Sequence, residues 1–243
     1  MKKHIPNLLT LCNLLSGCAG VVFAVRGNFS AVLICLIVSE FFDFFDGFSA
    51  RALDAYSEIG KQLDSLADLV SFGLCPSVCL FSWYVIAHPE IPFLRWLPFL
   101  LTAASALRLA KFNIDTRQAT SFLGLATSGC ALLLTPLAVY AFYTEGFLHI
   151  LMGTVWFIPV LTLVFSFLLV CEFPMFSLKK MTGQLKAFIV GSLILLAACI
   201  IREHEGPWYV TVSLAITLIL TYYLVLNLAN LKKKGSPSSG VSR

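Results

Sequence analysis

Charge is what this chain has least of. Asp, Glu, Lys and Arg together make up 12% of its 243 residues, and histidine occurs four times. A water-soluble domain carries about twice that charged fraction, so a soluble globular protein is excluded. Polar breaks between the apolar runs are short and leave no room for a sizeable soluble domain. The net charge of +4 carries no nucleic-acid signature, because the bases are dispersed among apolar segments. Clustered metal-binding cysteine is missing too. All eight cysteines (Cys12, Cys18, Cys35, Cys75, Cys79, Cys130, Cys171 and Cys199) lie inside apolar runs. None has the spacing of a disulfide framework or a thiolate metal site, so each reads as a small buried apolar residue. The alternation expected of a barrel strand is also absent, and no internal repeat is visible.

What remains is 58% hydrophobic and holds 21 phenylalanines, the composition of an all-α integral membrane protein. Lipid cannot satisfy an open backbone, so each span must be helical. A spanning helix needs about 20 mostly apolar residues. Eight segments qualify: Asn7–Val25, Phe29–Leu53, Ser65–Ala87, Phe93–Phe112, Leu123–Tyr143, Phe147–Cys171, Leu185–Arg202 and Trp208–Leu231. Lys2-Lys3 ahead of an apolar run, with Leu15-Ser16-Gly17-Cys18, imitates a lipoprotein signal. Pro6, Asn7 and Asn13 interrupt that run and further spans follow, which favours an uncleaved first helix.

The basic residues set the orientation. With the amino terminus inside, fourteen of the 17 Lys and Arg residues are cytoplasmic, and only Arg26, Arg95 and Arg202 lie opposite. This positive-inside split places both termini in the cytoplasm. Residues 1–231 then form one transmembrane domain, and 232–243 a basic, Ser/Gly/Pro-containing tail expected to be disordered.

Against this scarcity of charge, seven of the thirteen acids fall between Glu40 and Asp68. Asp43 and Asp46 are three residues apart near the cytoplasmic end of the second span; Asp64 and Asp68 are four apart where the third begins. Either spacing puts both carboxylates on one helix face. The segment between is too short to cross the membrane, so the two helices are antiparallel neighbours whose acids can converge. Acids at a membrane edge are costly unless paired or bound to a cation, and like charges held together oppose one another's ionisation. Pairing with Arg51 and Lys61 leaves most of the seven unneutralised. Oxygen ligands without His or Cys point to Mg²⁺ or Mn²⁺, and two such ions suit displacement at phosphorus. Gly47, Ala50 and Gly60 keep the helix backbone open to a phosphate or nucleotide, and Arg51 offers it a planar fork.

The frame Asp43-x2-Asp46-Gly47-x2-Ala50-Arg51-x8-Gly60-x3-Asp64-x3-Asp68 resembles, without departure, the signature of the CDP-alcohol phosphatidyltransferase family. That resemblance implies attack of an alcohol on the lipid-linked phosphorus of a CDP-lipid, with release of CMP. It further implies a six-helix core, here followed by two C-terminal helices, a site for two metal ions and a homodimer. By position, Asp43, Asp46, Asp64 and Asp68 would be metal ligands. Asp68 would also act as the catalytic base. Gly47, Ala50, Arg51 and Gly60 would line the nucleotide site, with Asn7 and Thr10 of Pro6-Asn7-Leu-Leu-Thr10 nearby.

Three further stretches resemble the bacterial and archaeal phosphatidylserine synthases: Leu63 to Gly73, Leu107-Arg108-Leu-Ala-Lys111-Phe-Asn113, and Phe176-Ser-Leu-Lys179-Lys180. In Phe122-Leu-Gly124-Leu-Ala126, alanine stands where that subfamily has proline. The implied reaction joins CDP-diacylglycerol to L-serine in a bacterial inner membrane. Arg108, Lys111, Lys179 and Lys180 are candidates for the serine carboxylate; Asn113 and Ser71 are candidates for its amine or hydroxyl. Two alternatives stay open: the same chemistry with glycerol 3-phosphate, inositol phosphate or choline, and a divalent-cation transporter using the four acids as its path. Transporter sites usually lie near the midplane on interrupted helices, whereas these acids gather at one edge.

Overall fold

The structure is a computed structural model and describes residues 4–114, 122–171, 174–175, 192 and 207–235. Among these residues it is helical, apart from one pair of two-residue strands. Helix α1 (Ile5–Val25) has Pro6 in its first turn, where a missing backbone N–H costs nothing. Its buried face is Pro6, Thr10, Asn13, Gly17, Gly20 and Ala24, a stripe of mostly small residues that lets neighbouring helices approach. A Cβ added to Gly20 would meet Cys75 Sγ at 2.7 Å. Gly27, in the left-handed region at φ +70°, ends the helix. Asn28 then caps α2 (Phe29–Ala52) by accepting the Ala31 N–H at 3.1 Å, and the two helices pack as an antiparallel pair.

The turn after α2 passes through Asp54 at φ 46°, a conformation Asp tolerates better than most residues. Ser57 caps α3 (Glu58–Asp68), its hydroxyl accepting the Gly60 N–H at 3.0 Å. A π-helical turn over Leu69–Leu74 joins α3 to α4 (Cys75–Ala87). Pro76 at the start of α4 brings no N–H to the ladder, which is why the regular pattern gives way here. The hydroxyls of Ser77 (2.7 Å) and Thr102 (3.4 Å) donate to the Gly73 carbonyl.

A 3-10 turn, Leu94–Trp96, leads to α5 (Phe99–Ile114). Next come β1 (Phe122–Leu123), α6 (Thr127–Tyr143), α7 (Phe147–Met152), α8 (Phe157–Val170), β2 (Pro174–Met175) and α9 (Trp208–Gly235). The strands pair antiparallel, Phe122 with Met175 and Leu123 with Pro174. Gly124, at φ +73°, sits where a Cβ would meet the Cys171 carbonyl at 2.6 Å. The core is formed by α4 and α6 with the far end of α2. Phe29, Val32, Leu33, Cys79, Leu80, Tyr84, Leu134 and Ala138 are among its fully buried members, with Ala24 of α1, Met152 of α7 and Ile158 of α8 joining from outside, and α9 joins α6 through Tyr140, Val210 and Leu214.

Among the described residues, three helical stretches are long and apolar enough to cross a membrane: Ile5–Val25, Glu58–Ala87 and Trp208–Val225; Thr127–Tyr143 and Phe157–Val170 are shorter apolar helices. The expected eight spans therefore do not appear as eight uniform helices. The third begins at Glu58 rather than Ser65. The fourth begins after Pro98, and the fifth after the β1 pairing. The sixth breaks between Met152 and Phe157. The seventh, Leu185–Arg202, lies outside the described residues except for Ser192. Helix α2 has 24 residues, but Glu40, Asp43 and Asp46 interrupt its apolar character.

Candidate active site

The site lies where the first half of α1, the second half of α2 and the whole of α3 meet. Carboxylate oxygens of Asp43, Asp64 and Asp68 lie within 4.8 Å of one another. The i, i+4 pair of α3 faces the inner acid of α2, as an antiparallel arrangement requires. This is an all-oxygen donor set without His or Cys, which fits a hard divalent cation such as Mg²⁺ or Mn²⁺ and does not suit zinc. Three acids this close, in a half-buried position, repel one another until a cation or a proton intervenes.

Asp46 is set apart from this trio. It is 6% exposed, and its Oδ2 accepts a 2.6 Å hydrogen bond from Thr10 Oγ1. The same hydroxyl lies 3.0 Å from the Pro6 carbonyl of its own helix, which shares its one hydrogen; the shorter bond to Asp46 fastens the start of α1 to the acid end of α2. Next to these acids opens a cavity of about 530 Å³. Its lining includes the expected Asn7, Thr10, Asp46, Gly47, Ala50, Gly60 and Asp64. Gly60 is tightly placed: a Cβ there would meet Ser57 Oγ at 2.9 Å and Asn7 Oδ1 at 3.0 Å. Around Gly47 there is more room, with Arg51 Nη1 at 3.8 Å as the nearest atom. Arg51 is exposed and borders that face.

The other expected residues divide. Arg108 Nη1 donates to Thr127 Oγ1 at 3.1 Å, while its Nε is buried without a partner. Arg108 is near enough to Asp68 for their charges to interact. Asn113 is committed to structure: Nδ2 donates to Ser65 Oγ at 2.8 Å, and its carbonyl accepts from Lys61 Nζ at 2.9 Å. Lys61 thus gives one of its three N–H donors to the α5 main chain. Ser71 is buried, its hydroxyl donating to the Asn13 carbonyl at 3.0 Å. Lys111 is exposed on α5. Lys179 and Lys180 lie outside the described residues.

Sequence reasoning missed several participants. Tyr56, Ser57, Glu58 and Lys61 also line the cavity; a Ser followed three residues on by Gly60, just before a helix, was the available signal. Asn13 is fully buried and its Nδ2 reaches Asp68 Oδ1 at 3.4 Å. Its signal was a second amide, six residues after Asn7, in a mostly apolar helix.

Comparison with known proteins agrees with this geometry. A CDP-diacylglycerol–serine O-phosphatidyltransferase of Bacillus subtilis is 35% identical over 123 residues, 51% of this chain and 68% of that protein. An archaetidylserine synthase of Methanothermobacter thermautotrophicus is 30% identical over 145 residues, 58% and 60% of the two chains. A CDP-diacylglycerol–serine O-phosphatidyltransferase of Helicobacter pylori is 28% identical over 205 residues, 83% of each. Residues 3–168, which hold every element of the acid site, match the profile described as CDP-alcohol phosphatidyltransferase, and the chain belongs to that family of membrane enzymes.

Proposed function

We propose that the protein transfers the phosphatidyl group of CDP-diacylglycerol to L-serine, giving phosphatidylserine and CMP. One observation carries this reading: the carboxylates of Asp43, Asp64 and Asp68 converge beside a cavity lined by Gly47, Ala50 and Gly60 of the same frame. The names of the Bacillus and Helicobacter relatives support serine as the alcohol.

In this reading Asp43, Asp46, Asp64 and Asp68 hold two Mg²⁺ or Mn²⁺ ions. When bound, such ions neutralise the diphosphate and stabilise the oxygen that leaves with CMP. The chain's own groups do the rest. Thr10 fixes the carboxylate of Asp46. Asn7, Gly47, Ala50 and Gly60 admit the cytidine diphosphate, and Arg51 approaches its phosphates from the exposed side. Arg108, held by Thr127 and with a free Nε–H, receives the serine carboxylate; Lys111 is a further candidate cation, as are Lys179 and Lys180 from their place in the sequence. Asp68 takes the proton from the serine hydroxyl. The serine oxygen forms the new bond to the lipid-linked phosphorus as the phosphorus–oxygen bond to CMP breaks. No phosphorylated enzyme is needed, since attack and departure occur in one displacement.

The wider architecture follows the same reading. Eight spans, a six-helix core with two C-terminal helices, and a catalytic domain over 1–231 with a basic tail are supported by the apolar runs. The positive-inside count supports a site on the cytoplasmic side of a bacterial inner membrane. A homodimer is the expected assembly. Transport is less well supported, because the four acids gather at one edge of the apolar runs rather than near their middle, where transporter sites usually lie.

The test is CMP release from CDP-diacylglycerol by purified protein with Mg²⁺ or Mn²⁺, one alcohol at a time, with Asp68→Asn as control. Serine-dependent release lost in the variant is expected. Release with another alcohol would move the substrate assignment, and no release with any would return the transporter.

A further inference from the structure

We propose that Asn13 is the positioning residue for Asp68, orienting its carboxyl toward the acceptor hydroxyl. This inference rests on the assignment of Asp68 as the proton acceptor.

Asn13 is fully buried in the middle of α1, and three elements converge on it. Its backbone carbonyl accepts the hydroxyls of Ser39 from α2, at 3.3 Å, and of Ser71 from the π turn, at 3.0 Å. Ser71 lies over Gly17, one helical turn along; a Cβ on Gly17 would come within 2.7 Å of the Ser71 Cα. Asp68 and Ser71 are three residues apart on one continuous helix, so both face α1. The hydroxyl of one secures the Asn13 main chain, and the carboxyl of the other receives the Asn13 amide at 3.4 Å. Catalytic hydrogen bonds in unliganded proteins are often this long and tighten when substrate binds.

The alternative is that Asn13 merely fastens helices, as polar residues in membrane bundles do. Two facts count against it. The bonds from Ser39 and Ser71 go to the backbone carbonyl, which any residue would supply; among the described residues the side chain's one hydrogen-bond partner is Asp68. The amide oxygen, moreover, is buried with no donor, a destabilising arrangement that an apolar side chain of similar volume would remove. The amide is therefore retained for its nitrogen, and that nitrogen serves Asp68.

Asn13→Leu keeps the carbonyl and its two serine bonds while deleting the amide; Asn13→Ala does the same if leucine does not fit. Both are assayed with whichever alcohol the wild-type protein uses. Binding of CMP with Mg²⁺ is measured by calorimetry alongside. The expected result is a kcat lower by about ten- to hundredfold, as for other groups that orient a reacting residue. KM for both substrates and CMP affinity should stay within about twofold, and the unfolding temperature should hold or rise. A kcat retained within about twofold in both variants overturns the proposal. So does a joint loss of kcat, CMP affinity and unfolding temperature, which would mark a structural role. If the wild type releases CMP with no alcohol, the functional reading fails and this inference falls with it; an active wild type with an indifferent Asn13 overturns the inference alone.

Discussion

Helix α2 and the α3–α4 rod are antiparallel, carry two frame acids each, and change character at the same level. In α2 the residues from Phe29 to Ser39 include five that are buried, whereas from Glu40 onward only Asp46 is. The second rod mirrors this. In α3 the sole buried residue is Ala67, while α4 is buried over most of its length, from Cys75 to Tyr84. One end of each helix is held by packing; the other is held by caps, a few polar bonds and whatever binds there. The packed halves set the distance between the helices, and the loose halves use that distance to bring like charges together.

The largest expected break in this contrast comes from Asp68→Asn. It should lower kcat by at least about a hundredfold, the scale of losing a general base. With metal chelated, the same variant should unfold at a higher temperature in detergent, because a neutral amide relieves repulsion from Asp43 and Asp64. Activity and stability moving in opposite directions is the mark of the loose end. A substitution in the packed half should show the reverse. Leu80→Ala, at a fully buried position of α4, should cost about 2–5 kcal/mol of stability through the cavity it leaves. The folded fraction should retain its KM and kcat.

Much of the loose end was legible because it is written in charge. An i, i+4 pair of acids beside a short turn has few ways to fold, and the convergence of Asp43, Asp64 and Asp68 follows from it. Asp46 was not separable from the trio by spacing, since its distinct environment comes from Thr10, 36 residues away. The packed half was harder to read. Hydropathy sums apolar content over a window and is blind to a local break, so Phe147–Cys171 read as one span although the helix stops at Met152 and resumes at Phe157. Helix α3 was missed for the opposite reason: its first turns are polar, yet Ser57 and Gly60 start a helix seven residues ahead of the apolar run.

The separation of Asp46 from the trio can be sharpened with Thr10→Val, which keeps the shape and removes the 2.6 Å bond. A lost hydrogen bond to a charged group is worth about 1.5–3 kcal/mol. A KM for CDP-diacylglycerol raised by about tenfold or more is therefore expected, with kcat less affected than in Asp68→Asn. Ser57→Ala removes the cap of α3 and should cost about 1 kcal/mol, read as a lower unfolding temperature that CMP with Mg²⁺ partly restores.

The smallest effect on the free protein should come from Gly47, and it separates room kept for packing from room kept for a ligand. Gly60 is hemmed in by Ser57 Oγ and Asn7 Oδ1, so an added methyl collides within the protein itself. At Gly47 nothing lies closer than Arg51 Nη1 at 3.8 Å, and that atom ends a flexible side chain. Glycine inside a helix is less stable than alanine by about 0.5–1 kcal/mol, so Gly47→Ala should raise the unfolding temperature slightly. If the space over Gly47 is reserved for the cytidine diphosphate, the same methyl should raise the KM for CDP-diacylglycerol and weaken CMP binding while leaving the KM for the alcohol alone. A stabilised variant that binds CMP as before would show that the glycine serves neither helix nor ligand, and the boundary of the nucleotide site would have to be drawn nearer to Gly60.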